Sequence, residues 1–248
     1  DFFIDFLATY NKPPFDQLNV SLVFNGDTFD FMRAQYLGGY PIHITKDIAL
    51  AKASRVASAH PKFFEALRAF LSSGQAPRKI YFIIGNHDFE LLFPAVQRFV
   101  ISLCDNSENV FFPGFSVDFG DVHIEHGSQH DPMFRLDHQK ILVPYQGKEI
   151  LNLPWATVAI LETIMPMHKT FFQLDRLKPK AQVLNYLPEL KDLIQSKFWN
   201  YYTKDFIKDS LKTDDPLKRF SWLMLKEVVK RFIYMRPDVS VGEAFQNQ

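Results

Sequence analysis

The chain has no surplus of charge, almost no cysteine and no long apolar run, and each shortage removes a class of protein. Its 28 lysines and arginines are balanced by 28 acidic residues. Binding to nucleic acid through counterion release needs a basic surface, so no nucleic acid is expected as the main partner. One cysteine, Cys104, cannot close an internal disulfide, which fits a reducing compartment. Its expected place is a buried thiol on a helix. No stretch reaches the ~18–20 consecutive apolar residues of a membrane-spanning helix, so a cytoplasmic location is the expectation, with membrane association from the surface as its variant. A signal peptide ahead of Asp1 stays open. The absence of a GxSxG elbow and of a Walker-type glycine loop removes serine-hydrolase and P-loop chemistry. Internal repeats and low-complexity segments are missing as well.

Phenylalanine is abundant. There are 26 in 248 residues, and apolar residues make up 47%, enough for a large core in one domain or in a domain with an insertion. The stretch that organises the rest is Lys79–Glu90, KIYFIIGNHDFE. Ile80 to Ile84 is an apolar, β-branched run too short for a helix and suited to a central strand covered on both faces. Gly85 lets the backbone turn, and Asn86, His87 and Asp88 follow at the carboxyl end of the strand, where open α/β sheets place their ligands. Two further runs repeat the pattern. Val20–Asn25 ends in Gly26, Asp27, Thr28, Phe29 and Asp30, and Val122–Glu125 ends in His126 and Gly127. If the three strands are neighbours in one sheet, Asp27, Asn86 and His126 meet at one edge. Two oxygen donors and a nitrogen donor suit a divalent ion such as manganese, iron or zinc.

Taken in order, GD-x-x-D (Gly26, Asp27, Asp30), GNHD (Gly85 to Asp88) and a later strand-end HG (His126, Gly127) resemble the calcineurin-like metallophosphoesterase superfamily. The resemblance covers about residues 1–131. It implies a four-layer α/β/β/α sandwich with two divalent ions, manganese first and iron or zinc as alternatives. By position, Asp27 would bridge the two ions, Asn86 and His126 would bind the second, and His87 would be the acid or charge-stabilising group beside the phosphate. Asp30 and Asp88 would orient ligands. A bridging hydroxide would attack phosphorus in line, hydrolysing a phosphate ester or a pyrophosphate bond. The opening D-x-H and closing GH-x-H of the superfamily do not occur within the chain, and their expected place is outside Asp1–Gln248. HGSQHDP (His126–Pro132) is similar to a bacterial branch with an H-G-x-x-x-D-P form. There is a looser similarity to the UDP-2,3-diacylglucosamine pyrophosphatases.

Along the chain, Phe2, Phe3, Phe6, Leu7 and Tyr10 have helical spacing before Pro13 and Pro14, predicting a crossover helix. Gly38 and Gly39 mark a loop near the site, and Arg33 within it is a candidate phosphate grip. Thr45 caps an expected helix to about Ala59, and Pro61 opens another that ends near Gly74. Glu90–Leu103 reads as one helix. Val110–Phe112, Phe115–Phe119 and Val122–His126 read as short strands. His130 and Asp131 are candidates for the substrate side, against equally good turn roles. His123 points to the opposite strand face from His126. His43, His60, His138 and His168 read as surface or structural residues.

Past Asp137 no strand is evident, and prolines at Pro144, Pro154, Pro166, Pro179, Pro188, Pro216 and Pro237 break up helical segments. The predicted division is a core over 1–134, a helical insertion or cap over 135–238 and a return to the core over 239–248. Residues 155–167 are apolar all round, and 217–236 pair an apolar stripe with a basic face. The plain reading is a cap packed on the core. The sharper one is a lid that holds a lipid tail or touches a membrane surface, with Lys178, Lys180, Lys226, Lys230 and Arg231 facing anionic head groups. The expected partner is therefore a phosphate-containing small molecule, nucleotide or lipid. The rival reading, from another class, is a binding scaffold of the same fold that has lost catalysis.

Overall fold

Three of the apolar runs pair as a parallel sheet in the order β1 (Val20–Asn25), β2 (Arg78–Ile83) and β3 (Val110–Gly114). A computed structural model describes residues 2–131, 134–161 and 165. In it Val20 pairs with Arg78 and Asn25 with Ile83, so β1 and β2 end level and both motif turns leave from one sheet edge. Alternate side chains of a strand point to opposite faces, which places Phe24, Phe82 and Phe112 in one row across the three strands. Their rings stack at 4.8 Å and 5.4 Å. Phe3 of α1 (Phe2–Tyr10) and Phe63 of α3 (Pro61–Ser72) close over Phe24 on this face. The other face carries Tyr81, stacked on Phe111 and touched edge-on by Phe119 of β4 (Ser116–Phe119). β4 and β5 (Val122–Glu125) form an antiparallel hairpin, which that aromatic contact holds against the sheet. Phenylalanine therefore goes largely into the core, where Phe29, Phe31, Phe64, Phe70, Phe82, Phe89 and Phe93 are all buried.

The described residues are thus a mixed α/β fold with small sheets. α2 (Lys46–Ala59) begins as the sequence predicts, with the Thr45 hydroxyl accepting from Ile48 N, and Pro61 sits in the first turn of α3. Cys104 is buried just past α4 (Pro94–Leu103). Arg78, at the end of β2 remote from the motif turns, is buried and donates to the carbonyls of Tyr10, Phe15 and Leu18. It ties the end of α1 to the sheet.

Two expectations change. The helix predicted over Glu90–Leu103 splits into a 3-10 turn at Phe89–Leu92 and α4, because Pro94 starts a helix more readily than it sits inside one. Beyond Asp137, where no strand was expected, β6 (Leu142–Tyr145) and β7 (Lys148–Leu151) form a hairpin. Its turn is Gln146-Gly147, both left-handed at φ 48° and 76°, the twist that two-residue hairpins favour. Pro144 is tolerated because β6 has one strand neighbour among the described residues. The hairpin packs on the same core: Leu151 N donates to Ile44 O, and Leu136 and Leu151 are buried with Ile44. α5 (Trp155–Ala159) starts where the apolar helix was predicted, and Leu161 and Met165 pack on Met32. The rest of that helix, the 217–236 segment, His168 and the five basic residues of the predicted lid lie outside the described residues. Among the described residues no helix is long and apolar enough to cross a membrane.

Candidate metal centre

The site is built on the turn that follows β1. Gly26, Asp27 and Asp30 all have left-handed backbones, at φ 80°, 52° and 46°. For a residue with a side chain this conformation costs on the order of 1 kcal/mol or more and persists only where surroundings enforce it. Here the enforcing group is Asp88. Its carboxylate is fully buried and accepts the backbone N–H groups of Thr28, Phe29 and Asp30 at 2.5, 3.1 and 3.0 Å. Asp88 therefore fixes the loop that presents Asp27 and Asp30. Burial pushes its pKa up to about 8, and the charge of Asp27 adds to that, while the N–H groups of Thr28 and Phe29 pull the other way.

Asp27 meets the second motif directly. Its Oδ1 accepts from His87 N at 2.8 Å. A Cβ placed on Gly85 would lie 2.2 Å from the same Oδ1 and 2.5 Å from Asp27 N. Glycine is needed at position 85 for room, since its backbone is not left-handed. Asn86 stands between these two contacts and is almost wholly buried. Replacing Gly85 by alanine is expected to push Asp27 away and to destabilise the fold by about 1–3 kcal/mol, the cost of overpacking. Chemical denaturation of Gly85→Ala checks this, and an unchanged midpoint would contradict it.

His126 arrives from elsewhere. The expectation that its strand joins the first two in one sheet does not hold, because β5 pairs only with β4 among the described residues. The residues still converge, since the hairpin lies against the sheet and lays the His126 ring over Gly26. A Cβ on Gly26 would be 2.4 Å from His126 Cδ2. His126 Nε2 stands 3.3 Å from Asp27 Oδ2, and its Nδ1 is buried without a hydrogen-bond partner. That 3.3 Å separation is longer than an ordinary N–H···O bond of about 2.7–3.2 Å. It matches the roughly 3.0–3.4 Å between two ligands that each sit about 2.1 Å from one ion. The donor chemistry thus fits a divalent ion held by Asp27 and His126, with Asn86, between Gly85 and His87 in the facing turn, as the sequence's candidate for a third ligand. Among the described residues no three His, Cys, Asp or Glu side chains already surround one point as an ion requires, and the third candidate here is an amide.

The remaining polar groups cluster around Asp30. His87 Nδ1 donates to Asp30 Oδ1 at 2.7 Å, and Arg33 Nε lies 2.7 Å from Asp30 Oδ2. Asp30 thus orients His87, and Arg33, predicted as a phosphate grip, is drawn to Asp30. Burial lowers the His87 pKa, but the Asp30 hydrogen bond and the charges of Asp27, Asp30 and Asp88 outweigh it and raise the group above 6.5. A raised folded-state pKa means the protonated form is stabilised by folding. This stability is fully present below about pH 6.5 and is lost as pH rises through the folded value. The stability difference between wild type and His87→Gln is expected to be largest below pH 6.5 and to shrink above it. Melting curves across pH 5.5–8.5 check this, and a difference that grew with pH would contradict it.

Under this cluster lies a buried ion pair that sequence reasoning missed, between Lys52 on α2 and Glu90 in the turn after GNHD. The predicted substrate-side residues lie in and just after the short turn that follows β5. His130 Nε2 faces Glu125 Oε1 at 2.8 Å, and Asp131 is exposed at the end of the Ser128–His130 turn. His123 points away from His126 toward Asp118, as the strand alternation predicts. His43 stacks on Tyr145 and His138 packs edge-on against Phe115, both structural roles.

Compared with known protein families, curated proteins and solved structures, the chain matches none of them. The functional reading therefore rests on the motifs and on the geometry they adopt.

Proposed function

We propose that the protein is a divalent-metal-dependent phosphoesterase of the calcineurin-like type, hydrolysing a phosphate ester or a pyrophosphate bond. The observation that carries this reading is the approach of His126 Nε2 to Asp27 Oδ2, from separate loops, at ligand-to-ligand distance. It goes with the four-layer α/β/β/α sandwich as the finer form of the fold, of which a helix-covered sheet with a hairpin on its other face would be a part. Two divalent ions, manganese before iron or zinc, would supply Lewis-acid polarisation of the phosphoryl oxygens and lower the pKa of water. Asp27, Asn86 and His126 would hold cation on one side of the scissile bond. His87, fixed by Asp30 through Nδ1, would use Nε2 to stabilise the developing charge or to hand a proton to the leaving oxygen. Asp88 would keep the Asp27–Asp30 turn rigid so that neither carboxylate has to reorganise as charge develops.

The substrate reading is a lipid-linked or nucleotide phosphate. Near the site, Leu161 and Met165 pack on Met32, the neighbour of Arg33, so the apolar segment starts beside the proposed phosphate position. The test is hydrolysis of aryl phosphate monoesters and diesters by protein reconstituted with Mn2+, then acylated against deacylated pyrophosphate substrates. Metal-dependent turnover is expected. No turnover together with no bound metal would favour the catalytically inactive scaffold, and equal rates on acylated and deacylated substrates would remove the lipid reading.

A further inference from the structure

Beneath the proposed centre, its two loops are tied a second time through the buried pair of Lys52 and Glu90. We propose that these two are positioning residues, which hold the Gly26–Asp30 and Gly85–Asp88 turns at the separation the site needs; the catalytic part of this inference rests on the phosphoesterase reading above. Glu90 is buried two residues after Asp88, in the 3-10 turn Phe89–Leu92. Lys52 comes from the buried face of α2, beside Ala49 and Ala53, and its Nζ donates to Glu90 Oε1. α2 also packs on the short turn Phe31–Arg33, which continues directly from Asp30. One helix therefore meets the downstream end of both motif turns, and the ion pair fastens it to the second.

Stability alone does not call for charge at this point. Apolar side chains of matching size replace a buried pair at little net cost, so the pair adds little to the free energy of folding. What it adds is direction. A charged hydrogen bond holds donor and acceptor at one distance and angle, whereas methionine and leucine can slide past each other. The contacts that it backs are exacting. Asp88 accepts from the N–H groups of Thr28, Phe29 and Asp30, and Asp27 accepts from His87 N at 2.8 Å. Between the turns there is no slack, since a Cβ on Gly85 would lie 2.2 Å from Asp27 Oδ1. Leu91 N donates to Asp88 O at 2.9 Å, so the Phe89–Leu92 turn and Asp88 move together. A shift of that turn by about 1 Å is thus carried to His87, and a displacement of this size at a reacting group costs about 10²-fold in rate.

The test is the double variant Lys52→Met with Glu90→Leu, read by amide hydrogen exchange and by turnover of the manganese-reconstituted full chain. Protection of the Thr28, Phe29, Asp30 and His87 amides is compared with that of the β1 and β2 amides in the same protein. A general loss of stability speeds all of them alike, so the ratio isolates local loosening. Exchange at the four loop amides is expected to be faster than in wild type by at least about tenfold relative to the sheet. With it, kcat is expected to fall about 10–100-fold while KM stays within about threefold. Unchanged protection of the four amides relative to the sheet would overturn the proposal whatever the activity, and so would loosened amides with an unchanged kcat. Absence of turnover in the wild type would count against the phosphoesterase reading alone, because the exchange ratio still decides whether the pair sets the two turns.

Discussion

Asp27→Asn is expected to lower metal-dependent phosphoester hydrolysis by at least about 10³-fold, because loss of a charged ligand removes several kcal/mol of transition-state stabilisation. Asparagine is the right replacement. It tolerates the left-handed backbone at φ 52° and keeps an oxygen to accept from His87 N, so the turn survives. What it removes is the negative charge facing His126 at 3.3 Å. The expected pattern is a collapse in kcat and in bound manganese with little change in melting temperature. Activity within tenfold of wild type would mean that Asp27 holds no ion, and the proposed chemistry would go with it.

The largest effect on stability is expected from the pair beneath the site. Lys52 and Glu90 are 1% and 4% exposed and are in direct contact. Removing one partner leaves an uncompensated charge in the core, which costs about 3–5 kcal/mol. In a protein of this size each kcal/mol moves the melting temperature by about 2–4 °C, so Lys52→Met or Glu90→Leu alone is expected to lower it by roughly 6–20 °C. The double variant is expected to regain most of the loss, within about 1 kcal/mol of wild type, because well-packed apolar residues replace a buried pair at little net cost. Calorimetry of the four proteins closes a double-mutant cycle. Single variants that each cost under 1 kcal/mol would show that the pair carries no buried charge.

The strands and their carboxyl-end turns were legible because their signals are local. Ile80–Ile84 and Val20–Asn25 are apolar runs ended by glycine, and the helix starts at Thr45 and Pro61 are single-residue cues. Gly85 was read only as a residue that lets the backbone turn. A turn was inferred from its type, whereas it is the approach of Asp27 that leaves no space for a Cβ. Long-range facts were hidden. Nothing in the order of residues shows that Asp88 gathers three backbone N–H groups 58 to 60 positions away, or that Lys52 is buried against Glu90. The β6–β7 hairpin was missed because Pro144 was weighed as a breaker and Gln146-Gly147 is a weaker turn signal than Asn-Gly. His126 was expected to reach Asp27 through a shared sheet, while a separate hairpin brings it to 3.3 Å from Asp27 Oδ2.

The convergence of Asp27, Asn86 and His126 on one cation is tested most directly by anomalous diffraction at the manganese edge from crystals of the manganese-reconstituted protein. The account predicts a peak within about 2.0–2.3 Å of Asp27 Oδ2, His126 Nε2 and the Asn86 amide oxygen. A fully reconstituted crystal with no anomalous density between those three side chains would contradict it.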